Sequence, residues 1–308
     1  MRLYTFEAGD DDVLLGAEWQ GGLIDLSAAH ATFLGSQRMI AAQPLSGYIS
    51  DLLDMGPRGM QAARDAIRHF IHLPALEQKG LWHPFDEVEL WPPIPDAGKI
   101  LCCALNFIGQ LKPNPSTVDP ASPCYYAKLP NTIIGPGEPI VRPRLTQHLD
   151  FGVQLAAVIG QQMKHVAETD ALASVAGYTI LHDVSVHDVP NPGNEFTLAR
   201  NFDTFAPIGP CLVTTDEMPD PANLRLRTLL NGEVAQDACT SDTIFSLPRL
   251  LADLSSMMTL EPGDIVTIGT PAAVGKFRDS RVTMQPGDLV TLEIEGIGTL
   301  ENPVVAEP

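Results

Sequence analysis

Positive charge is scarce in this sequence of 308 residues. Lysine and arginine together number 19, against 38 aspartates and glutamates, and the formal net charge is −19. A protein that binds nucleic acid or an anionic membrane surface usually presents a basic face. The composition therefore disfavours both kinds of partner, although it leaves room for a local basic pocket that binds a small acid.

Long apolar runs and a disulfide framework are also lacking. No run approaches the ~18 apolar residues that a transmembrane helix needs. The opening string MRLYTFEAGDDD soon turns acidic and does not resemble a signal peptide. The five cysteines are an odd number at spacings that fit no metal-binding pattern. These features favour a reducing compartment, and we predict a cytoplasmic location.

Glycine and proline are abundant, with 25 and 27 residues. Proline usually makes up only ~5% of a soluble protein, so 27 prolines in 308 residues are more than expected. This composition excludes an all-helical bundle and predicts many turns and short strands. The tripeptide Pro-Gly-Asp occurs at 262–264 and at 286–288, each time before a β-rich run, and predicts two tight turns. The glycine-rich string at 135–139 is followed by no predicted helix, so it does not indicate a phosphate-binding loop.

The pattern of apolar runs divides the chain into two predicted parts. Residues 1–96 combine short strands with one or two helices, and we predict a small N-terminal α+β domain. Residues 97–308 consist mostly of short apolar runs broken by glycine and proline, with helices predicted near 168–176 and 246–258. This organisation alone does not indicate a function.

Motif strings in the second part point to a known family. They are KILCCALNF (99–107), YAKLPNTIIGPGEPIV (126–141), HLDFGVQLAAVIG (148–160), VAGYTILHDVSVHD (175–188), FTLARNFDTFAPIGPCLVT (196–214), the long string from LRLRTLLNGEV to TIGTPAAVG (224–275) and PGDLVTLEIEGIGTLENPV (286–304). In this order, over roughly residues 97–305, they resemble the fumarylacetoacetate hydrolase superfamily. The resemblance implies an α+β fold in which a mixed β-roll catalytic domain follows the small N-terminal domain. It also implies a homodimer and an active site in the mouth of the roll.

The resemblance implies a particular chemistry for typical members. They act on small 2-oxo and β-diketo acids with Mg²⁺ or Mn²⁺, which three carboxylates hold through oxygen ligands. The ion polarises the substrate, a His–Glu pair on a lid activates water, and a lysine stabilises developing negative charge.

This sequence departs from the family at the metal ligands. The family string Asp-Tyr-Glu-x-Glu-Leu reads DFGVQL at 150–155, so Gly152 and Gln154 stand where two glutamates bind the ion. The third ligand is retained as Asp183, which we regard as a vestigial metal position. We therefore expect no cofactor, with Mg²⁺ or Mn²⁺ possible only if the altered site still binds. Gln154 becomes a candidate substrate contact.

The lid residues depart as well. Where the family has its lid histidine and glutamate, this chain has Gln110 and Pro113. We predict that Gln110 contacts substrate through a hydrogen bond. The Gly-Thr-Pro loop of the family is retained, and the resemblance places its Thr270 at the substrate site.

The charged positions that survive form the predicted catalytic group. The resemblance places His187 where the family has an arginine and Arg200 where it has a lysine. A second lysine of the family is retained in this chain as Lys128. Asp183 and His187 share a face of an extended segment, which predicts an acid–base couple. Lys128 and Arg200 are predicted to bind an anion, because a guanidinium matches a carboxylate with two hydrogen bonds. Asp183, His187 and Arg200 are thus the predicted catalytic residues.

Three functions are compatible with these residues. The leading hypothesis is an enzyme that transfers a proton on a small anionic or enolisable β-dicarbonyl or 2-oxo acid, without a metal. Isomerisation, cyclisation, dehydration and decarboxylation all need a base and a cation that stabilises an enolate, and such a change suits secondary metabolism. The first alternative is a Mg²⁺-dependent C–C bond hydrolase or decarboxylase. The second is a non-catalytic binding protein that has kept the fold.

Overall fold

The computed structural model describes residues 1–9, 13–38, 43–108, 121–188, 196–273 and 282–308. Its strands are β1 (Arg2–Glu7), β2 (Leu14–Trp19), β3 (Gly22–Asp25), β4 (Trp82–Pro84), β5 (Glu89–Leu90), β6 (Ile100–Ala104), β7 (Cys124–Lys128), β8 (Ile133–Ile134), β9 (Ile140–Arg142), β10 (Leu149–Asp150), β11 (Val153–Ile159), β12 (Val175–His182), β13 (Ser185–Val186), β14 (Ala206–Thr214), β15 (Arg225–Leu230), β16 (Glu233–Cys239), β17 (Ile265–Thr267), β18 (Leu289–Ile294) and β19 (Gly298–Ala306). Its α-helices are α1 (Leu26–Ser36), α2 (Ile49–Asp54), α3 (Pro57–His72), α4 (Ala75–Gln78), α5 (Phe196–Arg200) and α6 (Leu247–Met257). Short 3₁₀ helices cover Phe85–Glu87, Pro130–Thr132, Glu168–Ser174 and Thr240–Asp242.

A large mixed sheet forms the centre of the fold. Its main path runs β4-β3-β2-β1-β14-β12-β11-β17-β6-β7, with β5 paired to β1 and β8 paired to β14. Most pairs are antiparallel, but β6 and β17 are parallel, as are β8 and β14. The family resemblance predicted a mixed α+β fold, and the structure confirms it.

A second, five-stranded sheet follows the order β16-β15-β18-β19-β9 and packs over one face of the central sheet. The buried cluster between the two sheets joins Tyr178 and Ile180 of β12 to Leu226 of β15 and Leu292 of β18. On the opposite face, α1 to α3 cover a separate buried cluster. Both faces of the central sheet are therefore buried, which matches the nearly unbroken apolar sequence of β11.

The two Pro-Gly-Asp strings form the predicted turns. Gly263 and Gly287 have φ of +82° and +98°, which glycine adopts without steric cost. Asp264 and Asp288 each close the turn with a 3.0 Å backbone hydrogen bond, to the carbonyls of Glu261 and Gln285. Each turn leads into the next strand, β17 or β18.

Strands from the predicted N-terminal domain extend the central sheet. β1 pairs antiparallel with β14, placing Leu3 opposite Leu212. A division of the chain at residues 96 and 97 stays a prediction, and these strand pairs connect the two proposed parts. None of the helices in the described ranges has the length and apolar character that crossing a bilayer requires.

Candidate active site

The centre of the site lies where β12 ends. The N–H of Asp183 donates to the carbonyl of Gly152 at 2.8 Å, across from β11. The N–H of Val184 donates back to the carbonyl of His182 at 3.1 Å, which forms a three-residue turn around Asp183. This turn ends the alternation of β12 and fixes the Asp183 backbone on both sides.

Asp183 carries a carboxylate that two cations and a phenol contact. Lys128 Nζ lies 2.9 Å from Oδ1 and Arg200 Nε lies 3.3 Å from Oδ2. The hydroxyl of Tyr126 donates to the same Oδ2. Asp183 is only 3% exposed, and burial alone would raise its pKa. The two cations and the phenol outweigh burial and hold the pKa of this carboxyl below its ordinary value.

Lys128 lies inside the fold rather than on a ligand surface. Its ammonium contacts the carbonyl oxygens of Val184, Arg200 and Phe205 at 3.1, 2.9 and 2.9 Å, in addition to Asp183. Burial lowers the pKa of Lys128 and the nearby carboxylate opposes that effect. Because an ammonium has three N–H donors, these four oxygens saturate it. This arrangement differs from our prediction that Lys128 binds a substrate anion directly, and it makes Lys128 a residue that positions the others.

Arg200 is the cation of this cluster that reaches solvent. It ends α5, and its side chain is 16% exposed. The guanidinium carbon lies 4.7 Å from the ring centroid of Tyr126 and 4.9 Å from that of Phe196, and these two rings stack on each other. Burial acts to lower the pKa of Arg200, but Asp183 raises it above its ordinary value. The guanidinium is thus held in place by aromatic contacts on one side and a carboxylate on the other.

The donors around Asp183 do not match a Mg²⁺ or Mn²⁺ site, which the family implies. Gly152 has no side chain, and an added Cβ would lie 2.8 Å from Thr270 Oγ1. The buried Gln154 accepts a hydrogen bond from the hydroxyl of Thr267 and donates from Nε2 to Tyr126 at 3.1 Å. A hard divalent ion prefers anionic oxygens, and two cations already contact the single remaining carboxylate. Within the described ranges, no three His, Cys, Asp or Glu side chains are grouped to hold a metal ion.

Thr270 occupies the space beside Gly152, and the side chain of Gln236 holds it there through a hydrogen bond. The amide Nε2 of Gln236 donates to Thr270 Oγ1 at 3.1 Å and to the carbonyl of Pro271 at 2.6 Å. The other end of this buried amide accepts from the N–H of Val153 at 3.1 Å. The structure therefore brings Thr270 next to the DFGVQL string, and its contact with substrate stays a prediction.

His187 pairs with Asp150 and not with Asp183. Its Nε2 lies 3.0 Å from Asp150 Oδ2, and both side chains are exposed to solvent. Our prediction of an Asp183–His187 couple assumed unbroken alternation between these residues, and the turn at Asp183 breaks it. The contact between His187 and Asp150 follows from the pairing of β10 with β13. In this strand pair, Asp150 lies opposite Ser185.

His182, at the end of β12, is a further buried polar residue next to Asp183. It is 1% exposed, and its Nε2 has no hydrogen-bond partner within the described ranges. Burial lowers the pKa of His182 to about 3, although Asp183 acts to raise it. The imidazole is therefore neutral at physiological pH.

Sequence reasoning missed Tyr126 and Gln236. Tyr126 could have been found, because it lies two residues before Lys128 on a strand and so shares its face. Gln236 lies on β16, far along the chain from its partners, and no local signal marks it. Gln110 and Pro113 lie outside the described residues.

Comparison with known proteins identifies the family of this chain. The family model described as fumarylacetoacetate (FAA) hydrolase C-terminal matches residues 99–305. The human protein named oxaloacetate tautomerase FAHD2B, mitochondrial, is 36% identical over 287 residues, which cover 92% of this chain and 84% of that protein. The crystal structure of 5-carboxymethyl-2-hydroxymuconate delta-isomerase from Mycobacterium smegmatis is 29% identical, covers 100% of both chains and has a TM-score of 0.73. That of maleylpyruvate hydrolase from Sphingobium sp. SYK-6, in complex with manganese(II) and pyruvate, is 27% identical, with 100% of both chains covered and a TM-score of 0.75.

These comparisons also correct one prediction. The predicted cytoplasmic location is contradicted by the human relative, which is named as a mitochondrial protein. The cysteine pattern indicated a reducing compartment, and it does not distinguish one reducing compartment from another. The matched family model and the named relatives are sufficient for the assignment: the chain belongs to the fumarylacetoacetate hydrolase family and is an enzyme of that superfamily.

Proposed function

We propose that this enzyme moves a proton on a small 2-oxo or β-dicarbonyl acid, interconverting keto and enol forms or isomers without a divalent metal. The observation that carries the proposal is the partly exposed guanidinium of Arg200, which is held against Asp183 at 3.3 Å. Two relatives, one named as a tautomerase and the other as a delta-isomerase, support this class of reaction.

The charge of the cluster supports an anionic substrate. Asp183 contributes one negative charge, whereas Lys128 and Arg200 contribute one positive charge each. The three side chains together are therefore cationic, which attracts a carboxylate or an enolate and repels a divalent cation. In the family pattern, two further glutamates at positions 152 and 154 would reverse this balance.

The reaction needs two elements, a base and a cation that stabilises an enolate. Removing a proton from the carbon beside a carbonyl places negative charge on the carbonyl oxygen. The Arg200 guanidinium offsets that charge as it develops, and it is already oriented by its aromatic and carboxylate contacts. Cyclisation, dehydration and decarboxylation share an enolate, so they fall within the same proposal. Asp183 serves this scheme as the partner of the two cations.

Other features of the proposal rest on the family. We propose a homodimer, a separate N-terminal domain over residues 1–96, substrate contacts from Gln110 and Thr270, and an indirect contribution to the substrate site from Gln154. The buried amide of Gln154 acts through Tyr126, its hydrogen-bond partner. Thr270 acts from the loop beside Gly152.

Solvent exchange tests the proposal. Purified enzyme in excess EDTA is incubated with oxaloacetate in D₂O, and loss of the C3 proton signal is followed by ¹H NMR. We expect metal-free exchange above the buffer rate, and a loss in kcat/KM of about 100-fold in Arg200→Met, corresponding to the ~1.5–3 kcal/mol of a charged hydrogen bond. Arg58→Met, at an exposed arginine on α3, serves as the matched control and should retain full activity.

The same experiment separates the alternatives. Exchange that EDTA abolishes and Mg²⁺ or Mn²⁺ restores would contradict the proposal and favour a metal-dependent hydrolase, such as the manganese-bound maleylpyruvate hydrolase relative. Saturable binding of oxaloacetate without exchange would favour a binding protein. Unchanged kcat/KM in Arg200→Met would remove the residue on which the proposal depends.

A further inference from the structure

Asp150 and His187 form a side-chain pair beside the buried cluster. The distance from His187 Nε2 to Asp150 Oδ2 is 3.0 Å. The other oxygen, Oδ1, accepts from the N–H of Phe151 at 2.9 Å, which fixes the orientation of the carboxylate. The side chains are 57% and 43% exposed, so a dissolved small molecule can reach the imidazole.

The pair and Arg200 lie on structural elements that contact one another. Asp150 lies on β10 opposite Ser185 of β13, and His187 follows β13 directly. Helix α5, which ends at Arg200, packs against β13. The ammonium of Lys128 binds the carbonyls of both Val184 and Arg200. One buried lysine therefore ties the segment that leads to His187 to the helix that carries Arg200.

The pairing selects one tautomer of the imidazole. An ionised carboxylate only accepts hydrogen bonds, so Nε2 of His187 carries the proton and donates to Asp150. In the neutral ring, the lone pair then lies on Nδ1, the nitrogen that faces away from the carboxylate. This arrangement leaves Nδ1 as a base.

From these contacts we infer that His187 transfers the proton in the proposed reaction and that Asp150 is its positioning residue. The inference rests on the proposed function and adds the base that Arg200 alone does not supply.

In the proposed step, Nδ1 of His187 takes the proton from the carbon beside the carbonyl. The C–H electron pair forms the carbon–carbon double bond of the enolate, and the carbonyl π electrons move to oxygen. The imidazolium, stabilised by Asp150, returns the proton to that oxygen, or to another carbon of a conjugated acid. The step is an isomerisation and needs no co-reactant.

The test uses the full-length enzyme in excess EDTA and oxaloacetate as the probe, with deuterium exchange measured by ¹H NMR. We compare His187→Gln, Asp150→Asn and the double variant. The matched controls are His72→Gln and Asp54→Asn, at exposed positions on α3 and α2. Protein labelled with ¹⁵N-histidine reports which ring nitrogen of His187 is protonated.

We expect His187→Gln to lower kcat by about 100-fold, the lower part of the range for general acid–base catalysis, with KM changed less than about twofold. Asp150→Asn should lower kcat by about tenfold and remove the preference for protonated Nε2. The double variant should be no slower than His187→Gln, because Asp150 acts through the imidazole.

The outcomes distinguish the inference from the proposed function. If the wild type exchanges and His187→Gln matches it, the inference is wrong and the proposed function stands. The inference also fails if Asp150→Asn leaves both kcat and the tautomer unchanged, as an ordinary surface pair would, or if the two losses multiply in the double variant. If the wild type does not exchange the probe at all, both fail.

Discussion

The ammonium of Lys128 lies 2.9 Å from Oδ1 of Asp183, and neither side chain is more than 3% exposed. Removing one partner of a buried ion pair leaves an uncompensated charge, which costs more than the pair contributes. In this protein the same ammonium also binds three backbone carbonyls. The pair therefore joins three segments of the chain as well as two side chains.

Lys128→Met should lower the free energy of unfolding by about 3–5 kcal/mol, the usual cost of breaking a buried pair. Urea denaturation measures this loss, with Lys79→Met at an exposed position as the matched control. A loss below about 1 kcal/mol in Lys128→Met would contradict the burial that the structure shows.

Gln154→Glu restores a carboxylate that the family pattern carries, and we expect it to destabilise the apoprotein. The substitution removes the Nε2 donor to Tyr126 and buries a second carboxylate near Asp183. The expected loss is about 2–3 kcal/mol. Thermal unfolding with and without millimolar Mn²⁺ measures it, and Mn²⁺ should raise the Tm of the variant but not of the wild type. A rise in wild-type Tm would contradict the lack of fit between this site and a divalent ion.

Gly152→Ala should destabilise the protein through one contact. The added Cβ would lie 2.8, 3.1 and 3.2 Å from the Oγ1, Cβ and Cγ2 atoms of Thr270. Overpacking of this kind usually costs about 1–3 kcal/mol. Thr270→Ala removes two of the three atoms, so Gly152→Ala should cost less in that background. A double-mutant cycle by urea denaturation measures the coupling, and additive losses would show that another contact is responsible.

Much of the fold was accessible from the sequence because its signals are local. The apolar runs that became β6, β11 and β14 are short and bounded by turns, and both Pro-Gly-Asp turns formed as predicted. Helix α1 was missed, although Asp25 before it is a capping residue whose side chain accepts from the N–H of Ala28. The pairing of β1 with β14 joins strands about two hundred residues apart, and no local pattern encodes such a partner.

The sequence predicted which residues form the site, but it did not predict which of them contact one another. Family motifs placed Asp183, Lys128 and Arg200 together, and the structure brings their charged groups into contact. The alternation rule then failed at the turn around Asp183, so the partner of His187 was misassigned. Whether a cation faces a substrate or the backbone depends on three-dimensional carbonyl positions, which a one-dimensional motif does not contain.

His182 should make the stability of the protein depend on pH below neutrality. Burial lowers the pKa of this imidazole from 6.5 to about 3 in the folded chain. As the pH falls below 6.5, the unfolded chain takes up a proton that the folded chain does not bind, so unfolding becomes more favourable. The contribution of His182 is thus fully present above pH 6.5 and is lost as the pH falls towards 3, by ~1.4 kcal/mol for each unit.

The change in the free energy of unfolding between pH 7 and pH 5 measures the contribution of His182. Because pH 5 is 1.5 units below the ordinary value of 6.5, His182 should account for a loss of about 2 kcal/mol there. His182→Gln cannot take up the proton, so its free energy of unfolding should fall about 2 kcal/mol less than that of the wild type over this interval. Urea denaturation at both pH values measures the difference, and His72→Gln, at an exposed histidine, controls for loss of a titrating ring. Equal slopes for the wild type and His182→Gln would mean that the imidazole is protonated in the folded protein, contrary to its burial beside β11.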